Sequence, residues 1–437
     1  MRFAKLSALA SAVFVATTGS AYAAGFQIGE HSAGDVGRAF AGTGVVADDA
    51  SVQAGNAAGL AFVKGTMVSA SAAVIDPSIK IKGTYYGPFA GAAGRPANES
   101  DMAPTETVQA VFIAQEINDQ WAWGFGAYSN FGLVTNYHDD FGALALADKS
   151  ELKTANLNLN VAYRINPQVA IGFGIDAVKA EAKLSSTIPS PTPIQVAPNT
   201  FVDIGGKTIQ KLEGDDWGYG WNLGIVAEPM EGTRIGLAYR SEVDLSFEGD
   251  VKSDVYNGVG LPQNPLNPHA VNFNSDAKVD VDLPEMITLS FSQVINTDWS
   301  VMASVQRIGW DSFDELKYEL DNGAPVPATQ EQWEDSMRYS LGTTYKFAPE
   351  WTLRAGVMFD ESPVKDEYRT LRIPDSDRTW YTIGAGWQAT ENFSVDAAYA
   401  YLDADKARLN ETGAAGKFVG EVSGDAQIFS LQANYRF

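Results

Sequence analysis

Apolar and polar residues alternate one by one along much of the chain beyond about residue 63. Over 156–163, leucine, valine and tyrosine occupy the odd positions, while asparagine and alanine occupy the even ones. The same period of two begins again at Trp299, Trp351 and Phe393. A helix would space its apolar residues three and four apart, so the pattern predicts β-strands with one apolar and one polar face.

The segments between the predicted strands are of two kinds. Short polar breaks lie at 165–168, 228–233, 296–298, 348–350 and 390–392, and longer polar stretches lie at 185–212, 250–276 and 320–334. Tight turns at one end and long loops at the other are typical of outer-membrane β-barrels. Because roughly 14 alternating segments follow one another, the expected fold is all-β, a transmembrane antiparallel β-barrel of about 14 strands.

The first residues predict an export signal. Arg2 and Lys5 precede an apolar run from Ala8 to Ala16, and small residues follow as far as Ala23. This run is about half of the roughly 20 residues that a membrane-spanning helix needs. Residues 1–23 are therefore predicted to be a cleaved signal peptide, which places the mature chain beyond the inner membrane of a Gram-negative bacterium.

Aromatic residues favour a lipid-embedded barrel over a secreted β-sandwich. Tryptophans such as Trp121, Trp217 and Trp351 stand at the ends of alternating segments, as in the aromatic girdles of membrane barrels. The chain ends in an alternating segment, 429–437, whose last residue is Phe437. This ending resembles the recognition signal of outer-membrane barrels. We therefore expect the barrel-assembly machinery, outer-membrane lipid and lipopolysaccharide as partners.

Residues 24–62 follow a different pattern from the rest of the chain. They are rich in glycine, alanine and aspartate and lack the period of two. Apolar positions at Val36, Phe40, Val45 and Leu60 indicate that the segment folds against another part of the protein. A barrel of about 14 strands has a lumen that admits solutes unless it is filled. We predict an N-terminal hatch over 24–62 inside a barrel over 63–437, with a flexible periplasmic tail as the alternative.

Charge and composition exclude several classes of function. The chain carries 31 basic and 54 acidic residues, a net charge of −23, and its basic residues form no run. A nucleic-acid partner is therefore not expected. The absence of cysteine excludes thiolate chemistry, and three histidines make a histidine-rich metal site improbable. We expect no cofactor and no metal.

One histidine leaves catalysis to be weighed. His138 is followed by Asp139 and Asp140, and barrel hydrolases combine histidine with acidic residues or serine. These three residues are adjacent in a predicted loop instead of sharing one face of a strand. The sequence therefore favours a protein that is not an enzyme.

Seven short motifs, in chain order, resemble the FadL family of long-chain fatty acid transporters. They are AGFQI at 24–28, GRAFAG at 37–42, ADDA at 47–50, DDWGYGWN at 215–222, YRSEV at 239–243, LPE at 283–285 and IPDSDRTW at 373–380. The resemblance runs from residue 24 to the C-terminal part of the chain. It implies a barrel of 14 strands with an N-terminal hatch, which passes hydrophobic substrates sideways through a gap made by a kink in the third strand.

The resemblance also implies where the moving parts lie. The kink corresponds to Ser129, Phe131 and Gly132, and glycine inside a strand often marks a bend, although Gly132 alone carries little weight. The first residues of the hatch fill the pocket in the family, which makes Phe26 a candidate gate. Where the family has Asn-Pro-Ala near the end of the hatch, this chain has Asn56, Ala57 and Ala58, so the turn lacks the fixed φ of proline.

The family imports long-chain fatty acids, and some members import aromatic hydrocarbons, so the substrate is expected to be one of these. Apolar loop residues would capture it, unless they only pack on each other: Ile194, Val196, Phe201, Val259, Leu261 and Leu266. Lys317 matches a family position near the pocket. Ser186 replaces a family arginine, which leaves Lys183 as a second candidate for the carboxylate. A porin for polar solutes is the remaining alternative, and it would need an open lumen.

Overall fold

The computed structural model describes residues 25–254, 273–321 and 328–437, without the side chains of Val196, Phe273 and Asn274. The predicted signal peptide, residues 1–23, lies outside the described residues. In the parts of the chain described, no helix is both long and apolar enough to cross a bilayer.

Strands make up most of the described chain. They are β1 (Thr66–Tyr86), β2 (Arg95–Glu99), β3 (Glu106–Glu116), β4 (Trp121–Tyr128), β5 (Gly132–Asn136), β6 (Lys149–Asn166), β7 (Val169–Thr187), β8 (Pro193–Ala197), β9 (Thr200–Asp203), β10 (Thr208–Met230), β11 (Thr233–Arg240), β12 (Val243–Ser253), β13 (Phe273–Leu283), β14 (Met286–Val294), β15 (Trp299–Ile308), β16 (Glu315–Leu316), β17 (Tyr318–Leu320), β18 (Thr329–Gln330), β19 (Ser336–Ala348), β20 (Trp351–Asp360), β21 (Arg378–Gln388), β22 (Phe393–Leu409), β23 (Thr412–Gly413) and β24 (Gly416–Arg436). The helices are short: Ala33–Val36, Val52–Gly55, and the 3₁₀ segments Ala57–Phe62 and Trp310–Ser312.

Antiparallel pairing closes the sheet into a barrel. The first strand, β1, pairs with the last, β24, from Met67 opposite Arg436 to Tyr86 opposite Lys417. Over the residues described, the wall has 14 strands, some of them interrupted, so that β4 and β5 form one, as do β11 with β12 and β13 with β14. This confirms the predicted all-β antiparallel barrel of about 14 strands. Closure pairs the first wall strand with the last and so removes the terminal edge that an open sheet would have.

The two faces of the wall differ as the alternation predicts. Leu159, Phe173 and Leu223 are exposed on the outer face, whereas Asn158 and Asn222 are buried on the lumenal face. Outward-facing aromatic rings pair near the turns, as in Trp351 with Trp387, whose centroids lie 5.9 Å apart. So much exposed apolar surface is stable only in contact with lipid.

Residues 25–63 pack against the lumenal face of the wall. Glycines on several strands let this backbone approach closely. A Cβ at Gly172 of β7 would lie 2.2 Å from the Ala58 amide nitrogen, and one at Gly356 of β20 would lie 2.3 Å from the Arg38 carbonyl carbon. These contacts, on β7 and on β20, show that glycines in the wall make room for the backbone of residues 25–63.

Candidate functional site

Phe26 lies at the centre of a cluster of aromatic rings. Only 2% of its surface is exposed. Its ring centroid lies 4.5 Å from that of Trp310, 5.9 Å from Phe313, 5.8 Å from Trp333 and 6.1 Å from Phe131, mostly edge to face. Edge-to-face packing is favoured for aromatic rings, so these ring contacts stabilise the position of Phe26.

Gly25, the residue before Phe26, packs against two rings of the cluster and bonds to a loop. Gly25 has φ +64°, and a Cβ there would lie 2.7 Å from Trp310 Cζ2 and 2.9 Å from Trp333 Cζ3, so only glycine fits. Its amide donates to Asp375 Oδ2 at 3.0 Å. Burial raises the pKa of Asp375, which lies in the loop between β20 and β21. The loop between β20 and β21 therefore binds the backbone of Gly25, the first residue described.

An apolar cavity lies beside Phe26. Its lining includes Leu133, Leu152, Leu184, Leu212, Phe247, Val279 and Phe313. Three ionisable residues, Glu151, Glu331 and Arg372, join this lining. A narrow apolar space with a few charged groups is suited to a molecule with a long apolar part and one polar end.

Arg372 is the cation of this cavity among the residues described. The half-buried guanidinium donates from Nη2 to Ser186 Oγ at 2.8 Å and from Nη1 to the Ser185 carbonyl at 3.2 Å and to Ser150 Oγ at 3.4 Å. All of these acceptors are neutral. No carboxylate oxygen of a described residue lies within 4.0 Å of it. Desolvation lowers the pKa of Arg372, which still leaves an arginine charged.

Two glutamates lie near Arg372. Glu331 is 1% exposed and accepts from Trp333 Nε1 at 3.2 Å. Burial raises its pKa to about 8. The half-buried Glu411 accepts from the Leu371 amide at 2.8 Å, and burial raises the pKa of this group as well. At neutral pH Glu331 is therefore mostly uncharged, and Arg372 retains an unpaired positive charge.

A second, larger pocket lies on the loop side of Arg372. Tyr318, Tyr368 and Glu411 line it. Leu184, Leu316 and Arg372 line both this outer pocket and the apolar cavity. The guanidinium thus marks the junction between a pocket open to the loops and the space beside Phe26.

The third wall strand is interrupted next to the cavity. β4 pairs with β3 only as far as Ala127 opposite Val111, and β5 pairs with β6 on its other side. Between them, the backbone of residues 130–132 bonds to the segment inside the barrel: Ile28 donates to Asn130 at 2.7 Å and Gly132 donates to Phe26 at 2.8 Å. Among the described strands, β5 has no ladder with β3, so the hydrogen bonding of the wall is interrupted at this point.

Side chains hold the interruption in place. Thr154 Oγ1 of β6 donates to the Phe131 carbonyl at 2.6 Å and lies 3.0 Å from Ser129 Oγ. His31 Nε2 lies 2.7 Å from the Ser129 carbonyl. Burial lowers the pKa of His31 to about 4, so the ring is neutral and donates through Nε2. The structure thus places Ser129 and Phe131 in the interruption and Gly132 at the start of β5.

Hydrogen bonds of Asn56 hold the turn in which the family has a proline and this chain has Ala57. Its Oδ1 accepts from the Ala58 amide at 2.9 Å and caps the 3₁₀ segment Ala57–Phe62. Its Nδ2 donates to the carbonyls of Ile225 and Leu237, both at 3.3 Å. The turn is therefore tied to two wall strands, β10 and β11.

The two lysines singled out from sequence lie elsewhere. Lys317 is half-exposed, with Nζ 3.4 Å from Glu319 Oε1, and Lys183 lies 3.8 Å from Glu213 Oε1. Neither lines the cavity beside Phe26. Arg372 occupies the space at Ser186 where the resemblance implies an arginine from the fifth strand. Arg372 directly precedes the motif at 373–380, but the sequence does not indicate its role, because it reaches the cavity from a loop distant in sequence.

The apolar loop residues fall into two groups. Ile194 in β8 is partly buried and packs on neighbouring loop residues, while Phe201 in β9 is 63% exposed. The side chain of Val196 is not described, and Val259, Leu261 and Leu266 lie outside the described residues. His138 lies in another loop, where Nδ1 is 2.9 Å from Glu99 Oε1.

A barrel with an apolar outer belt, a packed lumen and an apolar cavity that opens toward its loops is typical of a β-barrel transport protein. The sequence model of the family described as outer membrane protein transport protein (OMPP1/FadL/TodX) matches residues 13–437. The chain belongs to this family and is an outer-membrane protein.

Individual relatives and solved structures support this family assignment. The chain is 35% identical over 448 residues to a long-chain fatty acid transport protein of Escherichia coli O6:H1, covering 99% of this chain and 98% of the relative. The crystal structure of a Pseudomonas aeruginosa FadL homologue superposes with a TM-score of 0.82 at 21% identity, covering 95% of this chain and all of the other. The Pseudomonas putida toluene transporter TodX gives 0.65 at 17% identity, covering 94% and 99%. At these identities the two structures show the fold alone.

Proposed function

We propose that this protein takes up long-chain fatty acids across the outer membrane, with the carboxylate at Arg372 and the acyl chain in the cavity beside Phe26. The observation that carries the proposal is a guanidinium with only neutral acceptors at the mouth of an apolar cavity. The name of the Escherichia coli relative, a long-chain fatty acid transport protein, supports it.

The free energies favour a route that stays apolar. An acyl chain of about 16 methylenes carries on the order of 13 kcal/mol of transfer free energy, at about 0.8 kcal/mol each. An acyl chain that crossed a water-filled lumen would be in contact with water and would lose this contribution. The interruption between β4 and β5 offers a path from the cavity to lipid that keeps the chain out of water.

We propose four steps along this route. Exposed loop residues, including Phe201, collect the fatty acid, and the outer pocket passes it to Arg372. The tail then displaces Phe26 from its aromatic neighbours, and residues 24–62 act as a hatch that shifts at its N-terminal end. The substrate leaves sideways past Ser129, Phe131 and Gly132.

The test is labelled-oleate uptake by a bacterial host that lacks its own transporter. Arg372→Gln removes the charge that binds the head group, and a charged hydrogen bond contributes about 1.5–3 kcal/mol, so half-saturation should rise roughly tenfold or more. Lys183→Gln is the matched control, since Lys183 lies outside the cavity, and it should leave uptake unchanged. Equal uptake by both variants, with equal amounts of folded barrel, would contradict the proposal.

Uptake of aromatic hydrocarbons is the second candidate. The cavity is lined mainly by apolar side chains, with Phe26, Phe247 and Phe313 among them. An uncharged ring needs no cation, so toluene uptake should be the same in Arg372→Gln as in the unaltered protein. Loss of oleate uptake with retention of toluene uptake would show that the cavity serves both.

A further inference from the structure

We propose that Glu331 is a second head-group residue, whose protonated carboxyl donates a hydrogen bond to the substrate carboxylate held at Arg372. The inference rests on the proposed function, because it concerns the same site. It defines the preferred ligand as an ionised acid that shares one proton with the protein, and it predicts an uptake site that senses pH.

The position of Glu331 is consistent with this role. Glu331 and Arg372 both line the cavity beside Phe26. The Glu331 amide donates to the Asp314 carbonyl at 2.9 Å, which fixes the backbone at this position. Trp333 Nε1 bonds to Oε2, and among the residues described Oε1 has no protein hydrogen bond. One carboxyl oxygen is thus fixed and the other is available to a ligand.

The surroundings keep the carboxyl uncharged without a ligand. No lysine, arginine or histidine nitrogen of a described residue lies within 4.0 Å of its oxygens. An isolated buried carboxylate is costly, so such a group takes up a proton instead. Burial raises the pKa of Glu331 to about 8, assisted by the negative charge of Glu411 and opposed by the hydrogen bond from Trp333 and the positive charge of Arg372.

The other acidic group of the cavity does not compete for this role. Glu151 of β6 is held by two lysines of the same strand, Lys149 at 2.5 Å and Lys153 at 2.8 Å. An ion-paired carboxylate has no proton to donate and would repel an anion. Glu331 therefore differs from Glu151 in the one property that an anionic ligand requires.

Proton linkage gives the expected result with a definite sign. A ligand carboxylate binds the protonated form of Glu331, so its affinity is constant below about pH 8 and decreases above it. For one proton, the decrease is about tenfold per pH unit. The full-length protein in detergent micelles would be titrated with oleate from pH 6.5 to 9.5, with quenching of tryptophan fluorescence as the measurement.

Two matched variants identify the responsible group. Glu331→Gln keeps a hydrogen-bond donor that does not titrate, so its oleate affinity should show no decrease above pH 8. Glu411→Gln should retain the decrease but begin it at a lower pH, because Glu411 lies on the outer pocket and raises the pKa of Glu331 through its charge. If Glu331→Gln retains the decrease, or if Glu411→Gln abolishes it, the inference is wrong while the proposed function stands.

A neutral ligand separates this inference from the proposed function without any variant. Oleyl alcohol has no carboxylate, so its affinity for the unaltered protein should be the same at pH 6.5 and pH 9.5. A parallel decrease for the alcohol and for oleate would overturn the role of Glu331. Failure to bind oleate at any pH would instead overturn the proposed function itself.

Discussion

Glycine at position 356 allows the chain inside the barrel to lie directly on β20. The space that a Cβ would need is filled by the backbone of Arg38, 2.3 Å from its carbonyl carbon and 2.4 Å from its oxygen. The Arg38 side chain is in turn buried and bonds to Asp35 Oδ1 at 2.8 Å. At this scale, the absence of one side chain in the wall positions an ion pair in the lumen.

Replacement of Gly356 by alanine is expected to displace residues 37–39 from the wall. Overpacking of a tight contact costs typically 1–3 kcal/mol, so the melting temperature of the purified barrel should decrease. Gly413→Ala is the control, because the nearest atom to a Cβ there is Leu146 Cδ2 at 3.6 Å. Thermal unfolding followed by circular dichroism compares the two. Identical melting temperatures would show that the contact at Gly356 is not tight.

The interrupted third strand is the element whose shape matters most. Residues 130–132 give their backbone hydrogen bonds to Phe26 and Ile28 instead of to β3. Asn130 and Gly132 therefore keep backbone hydrogen-bond partners although β3 does not pair with them. The Phe131 carbonyl accepts hydrogen bonds from Thr154 Oγ1 and Ser129 Oγ.

Thr154→Val tests the role of this support. The change keeps the shape of the side chain and removes the hydroxyl that bonds to Phe131 and Ser129, a loss of about 1–2 kcal/mol. Without that support, the strand should relax toward β3 and narrow the opening, and oleate uptake should decrease about tenfold.

Thr344→Val is the matched control for this change. Thr344 is a wall residue of β19 whose buried hydroxyl has no hydrogen-bond partner among the residues described. Its replacement should leave uptake unchanged. Equal uptake by the two valine variants would show that the hydroxyl of Thr154 does not shape the opening.

The molecule as a whole combines a closed barrel wall with an N-terminal segment packed inside it. β1 and β24 close the wall, and residues 25–63 contact its inner face on several strands. The outer apolar belt needs lipid, whereas the inner face needs a polar partner or water. The closed wall and the filled lumen together predict low permeability to ions.

Deletion of residues 25–62 is expected to convert the protein into an open pore. The intact protein should show little steady conductance in planar bilayers, because its lumen is filled. The deletion variant should conduct continuously, since a lumen of about 14 strands is wide enough for hydrated ions. Equal conductance of the two proteins would contradict the assignment of these residues as a hatch.

The sequence alone determined the barrel. Whether a side chain of a strand faces lipid or lumen depends only on its position in a period of two, so Leu159 and Asn158 could be assigned without a structure. The short turns and long loops then gave the topology. Phe26 could be predicted as a candidate gate because its motif, at 24–28, is the first of seven that resemble the FadL family in chain order.

Only the tertiary structure decided the chemistry of the site. Arg372 and Glu331 lie in loops, where no period relates a residue to the direction of its side chain, and both meet Phe26 across several hundred residues of sequence. The lysines at 183 and 317 have the right charge in the sequence, but each lies beside a glutamate away from the cavity. Local pattern fixes the orientation of strand residues, whereas the meeting of distant loops depends on how the closed wall brings their ends together.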